Sequence, residues 1–436
     1  MKLNDLPTFY KQLDSHFCLK NTNLKNATYT NVDSNFVKSS NYPKHRWFNY
    51  KEGFSPILVE NIIDEFNLKP EAIVVDPFCG AGTTLTVAKR LNINSIGFEV
   101  NTFAYFISKV KTYTYIQNDI NLYKEYISNI NSINFNNMLD IFPNDYVSRM
   151  FEKEMFSAQL NIRQYILNLP QSKAKDLLLF TWLCTLEKCS LYRKAGNGLK
   201  KKSKSPEYDR KKPQKKIIEM INELSEVIIE DCLNDKKSNS FVKIYDNSAF
   251  DMNKKIQNNI IDLVLFSPPY ANCFDYTKIY YMELWMGAFI DSIEGQKNIR
   301  MESIRSHCHA TWPSRYESFH LDELNNQLLP LLKEQKLWTN RIPEMLNGYF
   351  ADMEEILKQT YQVLKEKGKC AIVVSNSAYA GVIIPTDVFL ALIAEKIGFK
   401  VIEIEIKRLI ITSSQQYKKT ENLKQYLRES IVKLEK

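Results

Sequence analysis

The segment that most constrains the fold is a short apolar run that ends in a carboxylate and a glycine-rich turn. Residues 72–76 read AIVVD, residues 77–82 read PFCGAG, and helical spacing continues over 83–91. A second short strand at 95–99 also ends in a carboxylate. Strands that alternate with helices predict a parallel sheet. Open sheets of this kind bind nucleotides at the carboxyl ends of their strands.

The turn itself indicates a ligand site. Gly80 and Gly82 allow the backbone to turn tightly and to approach a ligand closely, and Glu99 is placed to accept hydrogen bonds from ribose hydroxyls. A Walker loop is excluded, because no Gly-Lys-Ser/Thr follows the turn. A glycine turn without a ligand is the alternative, and the two threonines at 83–84 weigh against it.

The alternation of strands and helices stops after residue 111 and resumes at 241. Between these points, residues 112–240 show helical periodicity, for example at 175–192 and 216–233. Further strands are predicted at 241–246, 262–266, 370–374 and 401–411, and further helices at 55–66, 351–366 and 386–397. The termini are predicted as a polar arm over 1–44 with one short helix and a charged surface helix over 417–436. We therefore predict an α/β fold with one mostly parallel central sheet and a helical insert.

A second motif, Ser267-Pro268-Pro269-Tyr270, follows the strand at 262–266. With the segment from Asp76 to Thr84 it resembles the S-adenosylmethionine-dependent DNA amino-methyltransferases of the N4/N6 family. Their first motif reads D-P-F-x-G-x-G-T-T, and their catalytic signature reads (D/N/S)-P-P-(Y/F/W). Residues 45–59, 368–381 and 413–416 resemble further blocks of this family.

The resemblance implies a Rossmann-like methyltransferase fold, with residues 45–111 and 241–416 as the catalytic domain. It implies S-adenosyl-L-methionine as the cofactor. The residues expected to bind that cofactor are Tyr50, Phe54, Asp76, Pro77, Phe78, Gly80, Gly82, Thr83, Thr84, Glu99 and Asp246. For Asp246 the ordinary alternative is a surface carboxylate that closes a strand.

The Ser-Pro-Pro-Tyr residues suit chemistry at an exocyclic amine, which is a poor nucleophile because its lone pair is delocalised into the ring. An acceptor on Ser267 and the carbonyl of Pro268 can take hydrogen bonds from the two amine hydrogens and turn the lone pair toward the methyl donor. Pro268 and Pro269 fix φ and hold these acceptors rigidly. Tyr270 can stack on the base, which has to leave the duplex to reach the site.

Serine at the first signature position favours cytosine N4 over adenine N6, as a correlation within the family. The expected enzyme is thus a site-specific cytosine-N4 DNA methyltransferase of a restriction-modification system. An adenine-N6 DNA methyltransferase, an RNA amino-methyltransferase and a catalytically silent nucleic-acid-binding subunit stay open. Methylation at carbon 5 of cytosine is excluded, because the chain has no Pro-Cys dipeptide.

The net charge of +8 is concentrated in one segment, because residues 188–216 hold 12 Lys or Arg against two acids. A solvated surface is the ordinary explanation, and contact with phosphates is the functional one. We expect double-stranded DNA as the partner, and the insert at 112–240 or residues 290–345 to recognise the target sequence. The residues expected to contact DNA are Lys200, Lys201, Lys202, Lys204, Arg305 and His307, with an ordinary loop as the alternative for the last two.

The remaining features concern metals, redox state and location. His307 and His309 flank Cys308, but this cluster lacks a second ligand pair, so no metal is expected. The eight cysteines form no CxxC pair and indicate reduced thiols. Neither a signal peptide nor a long apolar run is visible, which predicts a cytoplasmic protein without a membrane partner. A cognate restriction endonuclease is expected to act at the same DNA site without forming a stable complex.

Overall fold

A computed structural model of the chain describes residues 1–21, 42–51, 53–135, 142–196, 198–312, 319–410 and 417–436. The block at 413–416 therefore lies outside the described residues. Eight strands form one sheet: β1 Leu19–Asn21, β2 Ile73–Asp76, β3 Asn94–Phe98, β6 Val242–Tyr245, β7 Ile261–Phe266, β8 Leu364–Ser375, β11 Lys400–Leu409 and β12 Arg428–Glu435. Two separate hairpins are β4 Tyr192–Ala195 with β5 Gly198–Lys201, and β9 Ser377–Tyr379 with β10 Val382–Ile384.

The strand order in the sheet is β1-β11-β12-β8-β7-β2-β3-β6. Strand β12 is antiparallel to both of its neighbours, and all the other pairs in the sheet are parallel. The order changes direction beside β2, so the loops after β2 and β7 leave the same edge of the sheet side by side. This arrangement confirms the predicted α/β fold with a mostly parallel central sheet.

Seventeen α-helices lie within the described ranges. The first nine are α1 Leu6–Asp14, α2 Pro56–Glu65, α3 Thr83–Arg90, α4 Thr102–Thr112, α5 Gln117–Ile130, α6 Asp145–Ser148, α7 Lys153–Asn168, α8 Lys173–Leu183 and α9 Leu186–Cys189. The others are α10 Pro213–Leu233, α11 Met252–Lys255, α12 Tyr276–Ile279, α13 Tyr281–Met286, α14 Ile293–Glu302, α15 Leu329–Lys333, α16 Ile342–Val363 and α17 Thr386–Ile397. No described helix is long and apolar enough to cross a membrane.

Local signals explain several helix ends. Ser55 caps α2, because its hydroxyl accepts a hydrogen bond of 3.2 Å from the Ile57 N–H, and Pro56 occupies the first helical position. Asn101 caps α4 in the same way through the N–H groups of Phe103 and Ala104. These two caps begin the helices that flank the loop after β2.

The central strands are buried on both faces, as expected for parallel strands between helices. In β7, Val264 and Phe266 pack with α16 and α17 on one face, while Leu263 and Leu265 pack with α2 and α3 on the other. Strand alternation therefore divides one apolar run between two helical layers.

The insert at 112–240 is mostly helical, as its periodicity predicts, but it is not a separate module. Its helices α5, α7, α8 and α10 share one apolar cluster with α4 of the sheet domain and with α13, which follows the Ser-Pro-Pro-Tyr residues. Trp182, completely buried, belongs to this cluster, as does Tyr280 beside the cleft described below. The β4–β5 hairpin within the insert was not predicted.

The predicted surface helix over 417–436 is wrong. A 3-10 helix occupies Glu421–Tyr426, and β12 is an inner strand between β8 and β11. The charged residues of β12 are neutralised inside the fold. Arg428 pairs with Asp14 and Asp387, and Lys433 pairs with three glutamates, including Glu65 and Glu403.

The N-terminal arm contains the predicted short helix, but that helix is part of the core. Within α1, the Tyr10 hydroxyl donates to the Ile383 carbonyl at 2.8 Å and accepts from the Ile383 N–H at 2.9 Å. Strand β1 then pairs with the edge of the sheet at β11. Of the predicted arm, residues 22–41 lie outside the part of the chain that the structure describes.

Candidate active site

Asp76, at the end of β2, organises the turn that follows it. Its Oδ1 accepts a hydrogen bond of 3.0 Å from the Phe78 N–H, and its Oδ2 accepts one of 2.6 Å from the Thr84 hydroxyl. Complete burial raises the pKa of Asp76 to about 7, against the opposing effect of these two bonds. The carboxyl group therefore ties the turn to the start of α3.

Both glycines of the turn have positive φ, +48° for Gly80 and +75° for Gly82, a conformation that favours glycine. A Cβ on Gly82 would come within 2.4 Å of Ser108 Oγ and 3.1 Å of Ser108 Cα, so its missing side chain lets α4 pack against the turn. A Cβ on Gly80 would instead meet the ring of Tyr50 at 3.3 Å. Gly82 therefore has a packing role against α4, and close approach of a ligand to its backbone stays a prediction.

Glu99 follows β3 and bridges two loops. Its Oε2 accepts from the Gly80 N–H and its Oε1 accepts from the Asn101 N–H, both at 2.8 Å. Burial is the main cause that raises the pKa of Glu99 to about 7. Each carboxylate oxygen keeps a free lone-pair direction, so the group can accept further hydrogen bonds from hydroxyls.

These loops border one cleft of about 970 Å³, a volume that includes the open solvent at its mouth. The cleft-lining residues that the sequence predicts are Tyr50, Phe54, Pro77, Phe78, Gly80, Thr83, Glu99, Ser267, Pro269 and His307. The structure thus brings the first motif, the Ser-Pro-Pro-Tyr signature and the 305–309 loop to a single site.

The signature follows β7 directly. Ser267 faces the cleft, and its hydroxyl donates to the Tyr270 hydroxyl at 3.4 Å. Phe78 from the first motif packs against Phe266, the last residue of β7, with ring centres 5.6 Å apart. This contact fixes the two loops relative to each other.

Six of the predicted catalytic and cofactor-binding residues do not border the cleft: Asp76, Gly82, Thr84, Asp246, Pro268 and Tyr270. Asp76, Gly82 and Thr84 shape the turn from behind, as described above. Asp246 is exposed at the end of β6, and the following residues, Asn247 and Ser248, border the cleft instead. Strand β6 therefore lies where it was predicted, but the residues after it that border the cleft are one and two positions beyond Asp246.

The predicted DNA-contacting residues fall into two groups. Lys200, Lys201 and Lys204 are exposed. Lys202 donates to the carbonyls of Glu187 at 2.7 Å and Ser190 at 2.8 Å, which holds the base of the hairpin to α9. The burial of its ammonium group lowers the pKa of Lys202. Lys202 is thus committed to the fold.

Arg305 is also committed to the fold. Its guanidinium donates to both carboxylate oxygens of the buried Asp352, at 3.1 and 2.8 Å. This geometry argues against the predicted DNA contact of Arg305. His307 borders the cleft, and burial lowers its pKa to about 4, so its imidazole is neutral at physiological pH.

Sequence reasoning missed several residues of the cleft. Asn101 borders it, and its Nδ2 is buried without a hydrogen-bond partner in the described part of the chain. Arg300 of α14 borders it from a segment without a recognisable motif. Gly97 supports it from below, because a Cβ there would meet Cys79 Sγ at 2.9 Å and Leu85 at 2.7 Å. For Gly97, the only sequence signal is its position two residues before the strand-end carboxylate of Glu99.

The chain is similar in sequence to known DNA methyltransferases. Residues 7–110 match the family described as DNA methylase, of N6/N4 type. The Type II methyltransferase M.BsoBI of Geobacillus stearothermophilus is 29% identical over 429 residues, which cover 87% of this chain and 84% of that protein. The comparisons support an N4/N6 DNA methylase.

A second relative supports the same family. The Type II methyltransferase M.AvaI of Nostoc sp. is 29% identical over 402 residues and covers 84% of this chain and 81% of its own. Among solved structures, the rRNA methyltransferase aviRa from Streptomyces viridochromogenes overlaps 93% of this chain and 96% of its own, with a TM-score of 0.30 and 9% identity. For an N4/N6 DNA methylase, S-adenosyl-L-methionine is the implied methyl donor, and DNA is the implied substrate.

Proposed function

We propose that this DNA methylase transfers a methyl group from S-adenosyl-L-methionine to the N4 amine of a flipped cytosine at a specific site, as the modification enzyme of a restriction-modification system. The observation that carries the proposal is the single cleft shared by Ser267 and by the Gly80–Glu99 pair. A nucleoside held by the first motif would thus lie beside the residue proposed to hold the target amine. The Type II relatives favour the restriction-modification setting.

The residues on one side of the cleft fit the cofactor. Glu99 offers two oxygens to the two ribose hydroxyls. Asn101 Nδ2, which has no hydrogen-bond partner among the described residues, offers a donor nearby. The rings of Tyr50 and Phe54 give an apolar wall, and Tyr50 is itself stacked on Tyr280 at 4.8 Å. When bound, the cofactor supplies an electrophilic methyl group on a sulfonium.

Ser267 is proposed to act as a hydrogen-bond acceptor for the target amine. The Ser267 hydroxyl oxygen has two lone pairs that can accept from the amine hydrogens while its own hydrogen is donated to the Tyr270 hydroxyl, 3.4 Å away. Accepting one of these hydrogens draws the nitrogen out of conjugation and exposes its lone pair. Pro268 and Pro269 fix the loop so that this acceptor needs no reorganisation during the reaction.

The β4–β5 hairpin is proposed as a DNA-contacting element. Arg193 lies directly opposite Lys200 across the two strands, and both side chains are exposed. Like charges in this position destabilise a hairpin, so phosphate groups nearby would relieve the repulsion. Lys51 donates to the Gly196 carbonyl at 2.9 Å and lies 5.9 Å from the ring centre of Phe274, a cleft residue. The hairpin tip is therefore held beside the cleft.

The test compares wild type with Ser267→Ala in single-turnover methyl transfer to duplex DNA and to RNA. We expect the variant to transfer about 100-fold more slowly, by analogy with the loss of one preorganised polar partner, and to keep its cofactor affinity. Ser128→Ala, on the exposed face of α5, is the matched control. A wild-type rate in Ser267→Ala, or transfer to RNA alone, would refute the proposal.

A further inference from the structure

A buried ion pair lies in the wall of the cleft, next to the signature loop. Asp275 Oδ2 accepts a hydrogen bond of 3.0 Å from Arg300 Nε. The side chains are 1% and 14% exposed, respectively, and both residues border the cleft. The pair joins the segment after Ser-Pro-Pro-Tyr to the C-terminal half of α14.

The carboxylate of this pair is held in one orientation. Its other oxygen, Oδ1, accepts from the Thr277 N–H at 3.0 Å and from the Thr277 hydroxyl at 2.6 Å. Gln296, one turn before Arg300 on α14, donates to the same Thr277 hydroxyl at 3.1 Å. Asp275 therefore cannot rotate without breaking these bonds, and it positions the guanidinium by a side-on contact.

The side-on contact leaves the end of the guanidinium unused. Only Nε of Arg300 makes a side-chain hydrogen bond within the described ranges, and it is the nitrogen bound to Asp275. The two terminal nitrogens carry four N–H donors in a planar fork. A planar fork in a largely desolvated wall is suited to an acceptor pair on a flat ligand.

We infer that Arg300 is a specificity-determining residue whose terminal N–H groups recognise the O2 and N3 acceptors of the target cytosine. The inference rests on the proposed function and identifies the base that the same cleft takes. Cytosine presents two adjacent acceptors, O2 and N3, beside its N4 amine. Adenine presents N1 beside its N6 amine but has a C–H group where cytosine has O2, so it would leave one buried donor unpaired.

The neighbours of the guanidinium agree with a neutral ligand. His307 borders the same wall, and burial is the main cause that lowers its pKa to about 4, against the opposing charge of Asp275. The neutral imidazole and Thr277 add polar groups without charge. Because Asp275 already balances Arg300, the pair adds no net charge to the wall, which favours a neutral base over a second anion.

The test combines a protein substitution with an atomic substitution in DNA. Three proteins are assayed: wild type, Arg300→Lys and the control Lys297→Ala. Their two DNA substrates are duplexes copied from the same long template, one with ordinary cytosine and the other with 2-thiocytosine. Sulfur is a weaker acceptor than oxygen at the same position. Arg300→Lys keeps a cation beside Asp275 but loses the fork, and Lys297 is exposed on the same helix.

We expect Arg300→Lys to lower kcat/KM on ordinary DNA by about 10- to 100-fold, the range for one bidentate contact to a base. Its cofactor affinity, measured by calorimetry, is expected to stay within about twofold of wild type. Sulfur is expected to slow wild type and Lys297→Ala by a similar factor, and Arg300→Lys much less. The wild-type result on 2-thiocytosine stands even where the variant fails to fold.

The results distinguish a failure of the role inferred for Arg300 from a failure of the proposed function. An equal sulfur effect in wild type and Arg300→Lys, or lost cofactor affinity in that variant, would overturn the role of Arg300 and leave DNA methylation intact. N6-methyladenine as the wild-type product would also overturn it, with amino-methylation retained. If the wild type makes no methylated nucleoside at all, the proposed function itself fails.

Discussion

The backbone N–H of Gly80 donates a hydrogen bond of 2.8 Å to Glu99 Oε2, which joins the turn after β2 to the end of β3. This bond holds the carboxylate beside a glycine that borders the cleft, where it can accept from the hydroxyls of a ribose. One contact thus connects the shape of the turn with the proposed cofactor site.

Replacing Glu99 is expected to weaken cofactor binding. Glu99→Ala removes a charged acceptor, and hydrogen bonds to charged groups contribute about 1.5–3 kcal/mol. Calorimetry with S-adenosyl-L-methionine measures the loss, and Glu226→Ala, on the exposed face of α10, serves as the control. Equal affinities in wild type and Glu99→Ala would remove Glu99 from the site.

The stability of the cofactor-free protein is expected to fall as the pH rises toward 7.5. Burial raises the pKa values of Asp76 and Glu99 from 3.8 and 4.5 to about 7. Between the unfolded and folded pKa values, the two carboxyl groups are protonated in the folded protein and ionised in the unfolded chain. The stabilisation from these bound protons is complete below about pH 4 and disappears as the pH rises through 7. Urea unfolding of wild type and Glu99→Gln from pH 5 to 7.5 tests this, because the variant should show a shallower decline. Parallel curves would contradict it.

Gly82→Ala is expected to destabilise the fold by about 1–3 kcal/mol, because the new Cβ meets Ser108 and φ stays in the left-handed region. Gly198→Ala is the matched control, because no described atom outside its chain neighbours lies within 4 Å of its Cβ position. Denaturant unfolding of both variants measures the difference. If Gly82→Ala keeps wild-type stability and loses only cofactor affinity, close approach of a ligand is the correct explanation for this glycine.

The strand-turn-helix at 72–91 and the strand at 262–266 could be predicted because their signals are local. Each combines an apolar run, a strand-end polar residue and a turn with glycine or proline. The same local signals place Glu99 and Ser267 at the carboxyl ends of strands in one parallel sheet, and hence at one edge of it. For these elements, the structure indicated by the local sequence is the same as the one that the complete fold requires.

The C-terminal strand β12 and the Asp275–Arg300 ion pair could not be predicted, because the residues that pair in them are distant in sequence. Arg428 looks like a surface residue until Asp14 and Asp387 are brought to it, 414 and 41 positions away. Arg300 needs Asp275, which lies 25 positions earlier. Burial of a charge depends on such a partner, and a single sequence does not show which acid will supply it.

The salt dependence of DNA binding is expected to depend on the exposed cations of the hairpin segment and not on Lys202. Replacing Lys200, Lys201 and Lys204 with Ala should flatten the log-log slope by up to about 3 units, at about 0.9 per phosphate contact. Lys202→Ala, which removes a buried tie between the hairpin and α9, should lower stability and leave the slope unchanged. Fluorescence anisotropy across a salt series measures the slopes. A triple variant with the wild-type slope would mark the segment as a solvated surface.

The most direct measurement is the identity of the methylated nucleoside. Unmethylated DNA is incubated with the enzyme and S-adenosyl-L-methionine, digested to nucleosides and analysed by mass spectrometry, with Ser267→Ala in parallel. We expect N4-methylcytosine from the wild type and a much slower appearance of it from the variant. N6-methyladenine as the product, or equal yields from the two proteins, would contradict it.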